Sequence, residues 1–270
     1  VISSATHTLS LPYYRVFVNE CNYVVNSNDD PIFEIPFAKE TSGNVGYVHG
    51  PKSELYEGST SGDNIWGEAK SSAALSAFYR FMFDPEDARR DYLNGLWGYL
   101  YNGEPTISIS YTVYNNKWSK LWSTSGNPES AGNTGINFPY MRYTDVLLMY
   151  AEACNELGED GTARTYLNEV RNRVKLPAVT SSGNELRKAI RLERRLELAW
   201  EQNRIYDIRR WTDDNGKKMI CNLMGANGTF VKYNTDPATR DIYEWENQGE
   251  ASDKGTSFNE NRDMVFPIPL

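Results

Sequence analysis

The side chains best suited to hold a ligand sit in a polar stretch that carries aromatic rings. Trp66, Tyr56 and Tyr47 are set among Asn44, Asp63 and Asn64, and Trp97, Trp118 and Trp122 follow further along. The chain has 7 Trp and 18 Tyr against 10 Phe, so its aromatic excess falls on rings with a flat apolar face and a polar tip. Such rings suit half-wet surfaces that touch a ligand. Trp66 ranks first, because the polar pair Asp63-Asn64 just before it gives no reason for burial. Trp97, Trp118 and Trp122 lie in or beside strand-like sequence, where packing into the scaffold is the simpler use of a large ring.

Other chemistries find little support. His7 and His49 are the only histidines, which excludes multi-histidine zinc sites and leaves little room for a Ser–His–Asp triad. Cys21, Cys154 and Cys221 are far apart with no CxxC spacing, and their odd number excludes a complete disulfide framework. The 36 carboxylates make accidental pairs inevitable. A glycosidase needs two at the right separation, and no spacing marks such a pair. There is no P-loop and no GxSxG. Asp213-Asp-Asn-Gly216 lacks the rest of a calcium loop and reads as a turn. No metal and no cofactor is expected. A net charge of −8 and a pI near 5.0 argue against nucleic acid. No apolar run approaches the roughly 20 residues of a membrane span.

The elements that must position these residues follow from periodicity. Leu11, Tyr14, Val18, Cys21 and Val25 recur at helical steps and predict a helix over 11–25 with those residues on its face. Ile32–Phe37 reads as an edge strand, demoted by Pro36. Residues 39–72 read as a long loop, 73–83 as a helix with Leu75, Phe78, Tyr79 and Met82 on one face, and 96–122 as strands. Residues 123–139 form another loop. The clearest helical part is 140–211. In its first helix Leu147, Tyr150, Ala151 and Cys154 share a face, with Gly158 as the left-handed cap. Thr162 caps a second helix facing Ala163, Tyr166, Leu167, Val170 and Val174, and Pro177 closes it. Asn184 caps a third over about 185–202. After Trp211 the chain turns irregular and ends extended. The organisation is therefore a loop-rich region at 1–139, a helical region at 140–211 and an irregular segment at 212–270. Helix, turn, helix, proline is also the unit of a tetratricopeptide repeat. Small Ala151 and Ala163 would let two such helices pack closely.

Several segments, in order, carry a more specific resemblance. These are Asn137-Phe-Pro-Tyr-Met-Arg-Tyr-Thr-Asp-Val-Leu-Leu-Met-Tyr-Ala-Glu-Ala-Cys-Asn-Glu-Leu-Gly158, Leu167-Asn-Glu-Val-Arg-Asn-Arg173, Ile190-Arg-Leu-Glu-Arg-Arg-Leu-Glu-Leu-Ala-Trp-Glu201, Arg204-Ile-Tyr-Asp-Ile-Arg-Arg-Trp211 and Phe266-Pro-Ile-Pro269. Ile32-Phe-Glu-Ile35 and Asp87-Ala-Arg-Arg-Asp91 add to them. Together they strongly resemble the C-terminal part of the SusD/RagB family over roughly residues 30–270.

The resemblance implies a mainly α fold: tetratricopeptide-like helical hairpins with a loop-rich region and short β-hairpins. It implies a non-catalytic surface lipoprotein of the outer membrane in Bacteroidetes. Such a protein binds an oligo- or polysaccharide, sometimes a peptide, and acts with a SusC-like TonB-dependent transporter. The lipidated cysteine and earlier helical repeats of full-length members are not visible in this chain, which reads as the C-terminal portion. A sugar-binding surface needs flat rings for the C–H faces of pyranoses and polar groups for their hydroxyls, the mix found at 43–70. No ligand contact carries over by motif. The charged residues of 185–211 alternate in sign and read as an ion-pair-laced helix. Glu193, Glu197, Arg204 and Asp207 are expected in partly buried pairs that fix helix packing. The alternative function is a helical scaffold for a peptide or protein partner.

Overall fold

The computed structural model describes residues 1–22, 24, 28–38, 43, 45–50, 75–76, 79, 82–92, 97–101, 104–108, 112–113, 115–119, 135–224, 231–233, 249–251 and 257–264. The chain divides into two compact units, Val1–Trp200 and Glu201–Leu270. In the first, helix α1 (Tyr13–Cys21) is followed by strand β1 (Pro31–Ile35), helix α2 (Val45–His49), strand β2 (Leu75–Ser76) and helix α3 (Ala88–Tyr92). Strands β3 (Trp97–Tyr101), β4 (Glu104–Ser108), β5 (Thr112–Val113) and β6 (Phe138–Arg142) come next. Helices α4 (Tyr143–Glu156), α5 (Asp160–Arg173) and α6 (Gly183–Glu197) complete the unit. The architecture is mainly α, as the sequence predicts.

The core is the α4–α5–α6 bundle. Leu147, Leu148, Ala151, Cys154, Ala163, Leu167, Val170, Leu186 and Ile190 form one buried cluster. Ala151 and Ala163 are both fully buried, so the two small residues serve the close helix approach expected of them. Tyr150 departs from its expected place. It is 42% exposed and meets Tyr166 edge-on at the outer seam of the hairpin. Gly158 adopts φ +78° just past α4, and Glu159 N–H donates back to the Cys154 carbonyl, which closes the helix as expected.

The expected caps differ, because the capping groups come from elsewhere. Thr162 lies inside α5, and Asn184 lies in the first turn of α6 and accepts from Arg187. Instead the Asp160 carboxylate reaches across to accept the Gly183 N–H at 2.7 Å. The start of α4 has no local side-chain cap, and Asp30, next to β1, supplies it by accepting the Thr144 N–H at 2.9 Å.

The buried face of α1 is also displaced. Tyr13, Val16, Phe17, Glu20 and Cys21 are buried while Tyr14 is exposed. Both stripes are apolar enough to be chosen, and the buried Glu20 hides the correct one from a hydrophobic pattern.

The strands form short two-stranded ribbons. β3 and β4 make a hairpin in which Tyr101 pairs with Glu104, and β2 pairs with β5. Leu75 therefore lies on a strand, which corrects the start of the helix expected over 73–83. β1 pairs antiparallel with β6. Phe138–Arg142 was expected to be loop and then helix. Its alternation is hidden because Pro139 and Arg142 are the buried positions. Within the loop expected over 39–72, Val45–His49 is helical. Gly50 ends it against the segment 115–119. A Cβ there would lie 2.3 Å from the Gly46 carbonyl oxygen and 2.8 Å from that of Trp118.

The second unit holds the short helices Arg204–Arg210, Met219–Leu223 and Glu260–Asp263 and the ribbon of Val231–Tyr233 with Gly249–Ala251. Trp211 is buried, and the guanidinium groups of Arg204 and Arg210 lie 5.6 and 5.2 Å from its ring centroid. Asp207 pairs with Arg210 at 2.7 Å. Asp213 accepts from the Asn215 and Lys217 backbone and from Asn222, which is the turn expected of Asp213–Gly216.

Candidate functional site

The sequence candidates fall in different places. Trp66, Tyr56, Asp63, Asn64 and Trp122, with Asn44, lie outside the described residues. Tyr47 is half-buried on α2. Trp97 opens β3 opposite Ser108. Trp118 is a correction: it is fully buried and cannot meet a ligand in this conformation. Its ring packs 5.2 Å from that of Phe138, alongside Cys21 and Ile136. The polar run Asn115-Asn-Lys-Trp-Ser119 looks like surface, yet every residue in it is buried.

Two exposed rings were not singled out by sequence. Phe33 on β1 and Tyr140 on β6 are 57% and 64% exposed and meet edge-to-face at 6.1 Å. Register shifts on either side of Phe33 mark bulges, which re-aim side chains locally. Period-two alternation in β1 would have put Phe33 and Ile35 on one face, but its partner strand was hidden in helix-like sequence.

Beneath these elements lies a buried ionic cluster. The stripe of α6 that faces inward runs Leu186, Ile190, Glu193, Glu197, so it turns from apolar to acidic half-way. Two like charges four residues apart disfavour an isolated helix. Here cations answer them. Arg89 pairs with Asp87, Glu193 and Glu197, and Arg171 on α5 pairs with Glu193 at 3.0 Å. Arg142 at the end of β6 pairs with Asp30 and with Glu197. Arg173 at the end of α5 pairs with Asp30 at 2.7 Å. Lys117 is wholly buried. It donates to the Glu197 carbonyl oxygen at 2.8 Å and lies over the Phe17 ring, 4.9 Å from its centroid. That carbonyl ends α6, where cations also meet the negative end of the helix dipole. Glu193 and Glu197 thus fix helix packing as expected.

The cluster holds Asp30 and Glu197 ionised. Burial opposes the charge on Asp30, but Arg142 and Arg173 outweigh it and set the pKa well below the usual carboxylate range. Burial likewise opposes the charge on Glu197, and Arg142 and Arg89 bring its pKa below normal. Both groups have lower pKa values folded than unfolded. Their stabilisation is present above the unfolded carboxylate pKa of about 4 and is lost as pH falls through the folded values. The denaturant midpoint is therefore expected to stay level from pH 7 to about 5 and to fall between about pH 4 and 2. A midpoint unchanged at the acid end would contradict ionised, paired carboxylates. Cys21, Cys154 and Cys221 are free thiols, and burial pushes the pKa of Cys21 well above normal, leaving it unreactive.

What the arrangement does chemically is to anchor aromatic-bearing segments. Among the described residues no group of three or more His, Cys, Asp or Glu is arranged to hold a metal.

Comparison with known proteins places this arrangement. SusD-like protein P2 of Formosa agariphila is 39% identical over 153 residues, covering 52% of this chain and 25% of that protein. The crystal structure of a SusD homolog from Bacteroides thetaiotaomicron superposes with a TM-score of 0.64 at 22% identity, covering 81% of this chain and 51% of the other. A laminarin-binding SusD-like protein superposes with a TM-score of 0.55 at 24% identity, covering 76% and 46%. The chain thus spans a quarter to a half of the length of these relatives. The family model of the SusD family matches residues 56–270, most of the chain, and the chain belongs to the SusD family.

Proposed function

We propose that the chain is the part of a non-catalytic, glycan-binding protein that contributes to capture of an oligo- or polysaccharide at the bacterial cell surface. The bound glycan is passed to a SusC-like TonB-dependent transporter of the outer membrane, and a lipid anchor holds the protein there. Membership of the SusD family carries this reading, and the fold shared with a laminarin-binding SusD-like protein supports it. Among the described residues no helix is long and apolar enough to cross a membrane. The loop-rich 1–139 provides the ligand face and 140–211 the scaffold. Trp66, with Tyr56, Tyr47, Asp63 and Asn64, forms the aromatic platform, and Trp97 and Trp122 are secondary contacts.

Titration with the polysaccharide that binds the wild-type chain tests the platform. Trp66→Ala is expected to weaken binding by about 1–3 kcal/mol, the range for losing one stacked aromatic contact, with the unfolding midpoint unchanged. Equal affinity in the variant would remove Trp66 from the site. A second reading, a scaffold for a peptide, draws on the exposed Met149 and Tyr150 on α4 and Leu157 just past its end. It requires peptide binding that survives loss of Trp66, Tyr56 and Tyr47.

A further inference from the structure

Segments far apart in the chain end on one turn of α6. Arg89, on α3, reaches one Glu197 carboxylate oxygen at 2.9 Å, and Arg142, at the end of β6, reaches the other at 3.0 Å. The Glu197 carbonyl oxygen accepts from Lys117 at 2.8 Å, from Arg142 at 3.3 Å and from the Tyr13 hydroxyl at 3.3 Å. Arg89, Lys117, Arg142 and Glu197 are each no more than 1% exposed. A helix C-terminus needs donors for its last carbonyls, but it does not need them from three separate segments, α1, 115–119 and β6, with the side chain of the same residue gripping β6 and a fourth, α3.

Three of these four segments, α3, 115–119 and β6, lead to an aromatic candidate. α3 precedes the hairpin that opens with Trp97. Residues 115–119 precede Trp122 in sequence. β6 carries Tyr140, paired with Phe33. We propose that Glu197 is a positioning residue. It fixes the relative placement of the roots of these three segments and so preorganises the ligand face without touching the ligand. The binding half of this inference rests on the glycan-binding reading; the positioning half does not.

The isosteric Glu197→Gln tests it. One amide can accept from one guanidinium, but its NH2 then faces the other, donor against donor. Hydrogen exchange of 82–92, 115–119 and 138–142 is expected to rise together, by about tenfold or more, while the α4–α5 core stays protected. Lys117→Met removes one spoke and keeps an apolar stem, so exchange is expected to rise in 115–119 alone. Affinity for laminarin, or for whichever polysaccharide retards the wild-type chain in a gel, is expected to fall roughly 2- to 30-fold in Glu197→Gln, the range for residues that act without touching the ligand.

Exchange that rises uniformly across the unit, or nowhere but the end of α6, would overturn the positioning role. Unchanged affinity where the wild type binds would overturn the preorganisation of the ligand face. If the wild type binds no glycan, the functional reading fails and the exchange pattern still decides the positioning role. If Glu197→Gln does not fold, Arg89→Lys carries the test: exchange confined to 82–92 supports the clamp, and an exchange pattern identical to wild type overturns it.

Discussion

Asp30→Ala is expected to lower the unfolding free energy of the Val1–Trp200 unit by about 3–5 kcal/mol, the cost of leaving a buried ion pair with one partner. Against a total of roughly 5–15 kcal/mol for a typical domain, that is a large share. The carboxylate performs two tasks there, and the backbone of the same residue a third that the substitution leaves in place. It caps α4 through the Thr144 N–H and hydroxyl. It neutralises Arg142 at the end of β6 and Arg173 at the end of α5. Its own backbone carbonyl accepts the Tyr143 N–H. Removing the side chain leaves two buried guanidinium groups facing each other and an uncapped helix. Urea unfolding followed by circular dichroism reads the loss directly. A change below about 1 kcal/mol, typical of an exposed pair, would mean that the cluster is solvated in solution.

Arg89→Met has a similar expected cost, about 3–5 kcal/mol at neutral pH, and that cost depends on pH. The side chain is fully buried and shared among Asp87, Glu193 and Glu197. Burial alone would disfavour its charge, and those carboxylates instead hold the guanidinium firmly protonated. Methionine fills much of the volume but leaves three carboxylates with too little positive charge. Protonation then relieves the repulsion. The deficit relative to wild type is therefore expected to shrink as pH falls from 7 toward about 4. Unfolding midpoints of both proteins across that range check it, and a deficit independent of pH would show that packing, not charge, sets the effect.

The helical scaffold was legible because its signals are local. Leu147, Ala151 and Cys154 on α4 and Ala163, Leu167 and Val170 on α5 repeat at helical spacing and are all buried. Gly158 marks a turn that needs a positive φ. What was hidden depends on residues distant in sequence. Asp30 and Asp160 cap helices that begin over a hundred and about twenty residues away, so Thr162 and Asn184 looked like the caps. Glu20, Lys117 and Glu197 are polar residues at core positions, where a hydrophobic pattern expects apolar ones. Trp118, a second-choice contact for which packing into the scaffold was the simpler use, is buried in the scaffold among polar neighbours. Those neighbours are buried too, with Lys117 held by a carbonyl eighty residues on. Glu193 and Glu197 were expected to pair, but the sequence could not show which cations they meet.

For the candidate site the division is similar. Composition pointed to aromatic recognition and family motifs to a glycan, whereas the exposed Phe33–Tyr140 pair depends on a strand pairing across more than a hundred residues.

The most direct test of glycan binding without catalysis is native affinity electrophoresis of the chain in gels containing plant, host and microbial polysaccharides, with a reducing-end assay on parallel incubations. Retardation by one glycan class, with no new reducing ends, is the expected result. Migration unaffected by every polysaccharide, or reducing ends that accumulate with time, would contradict it.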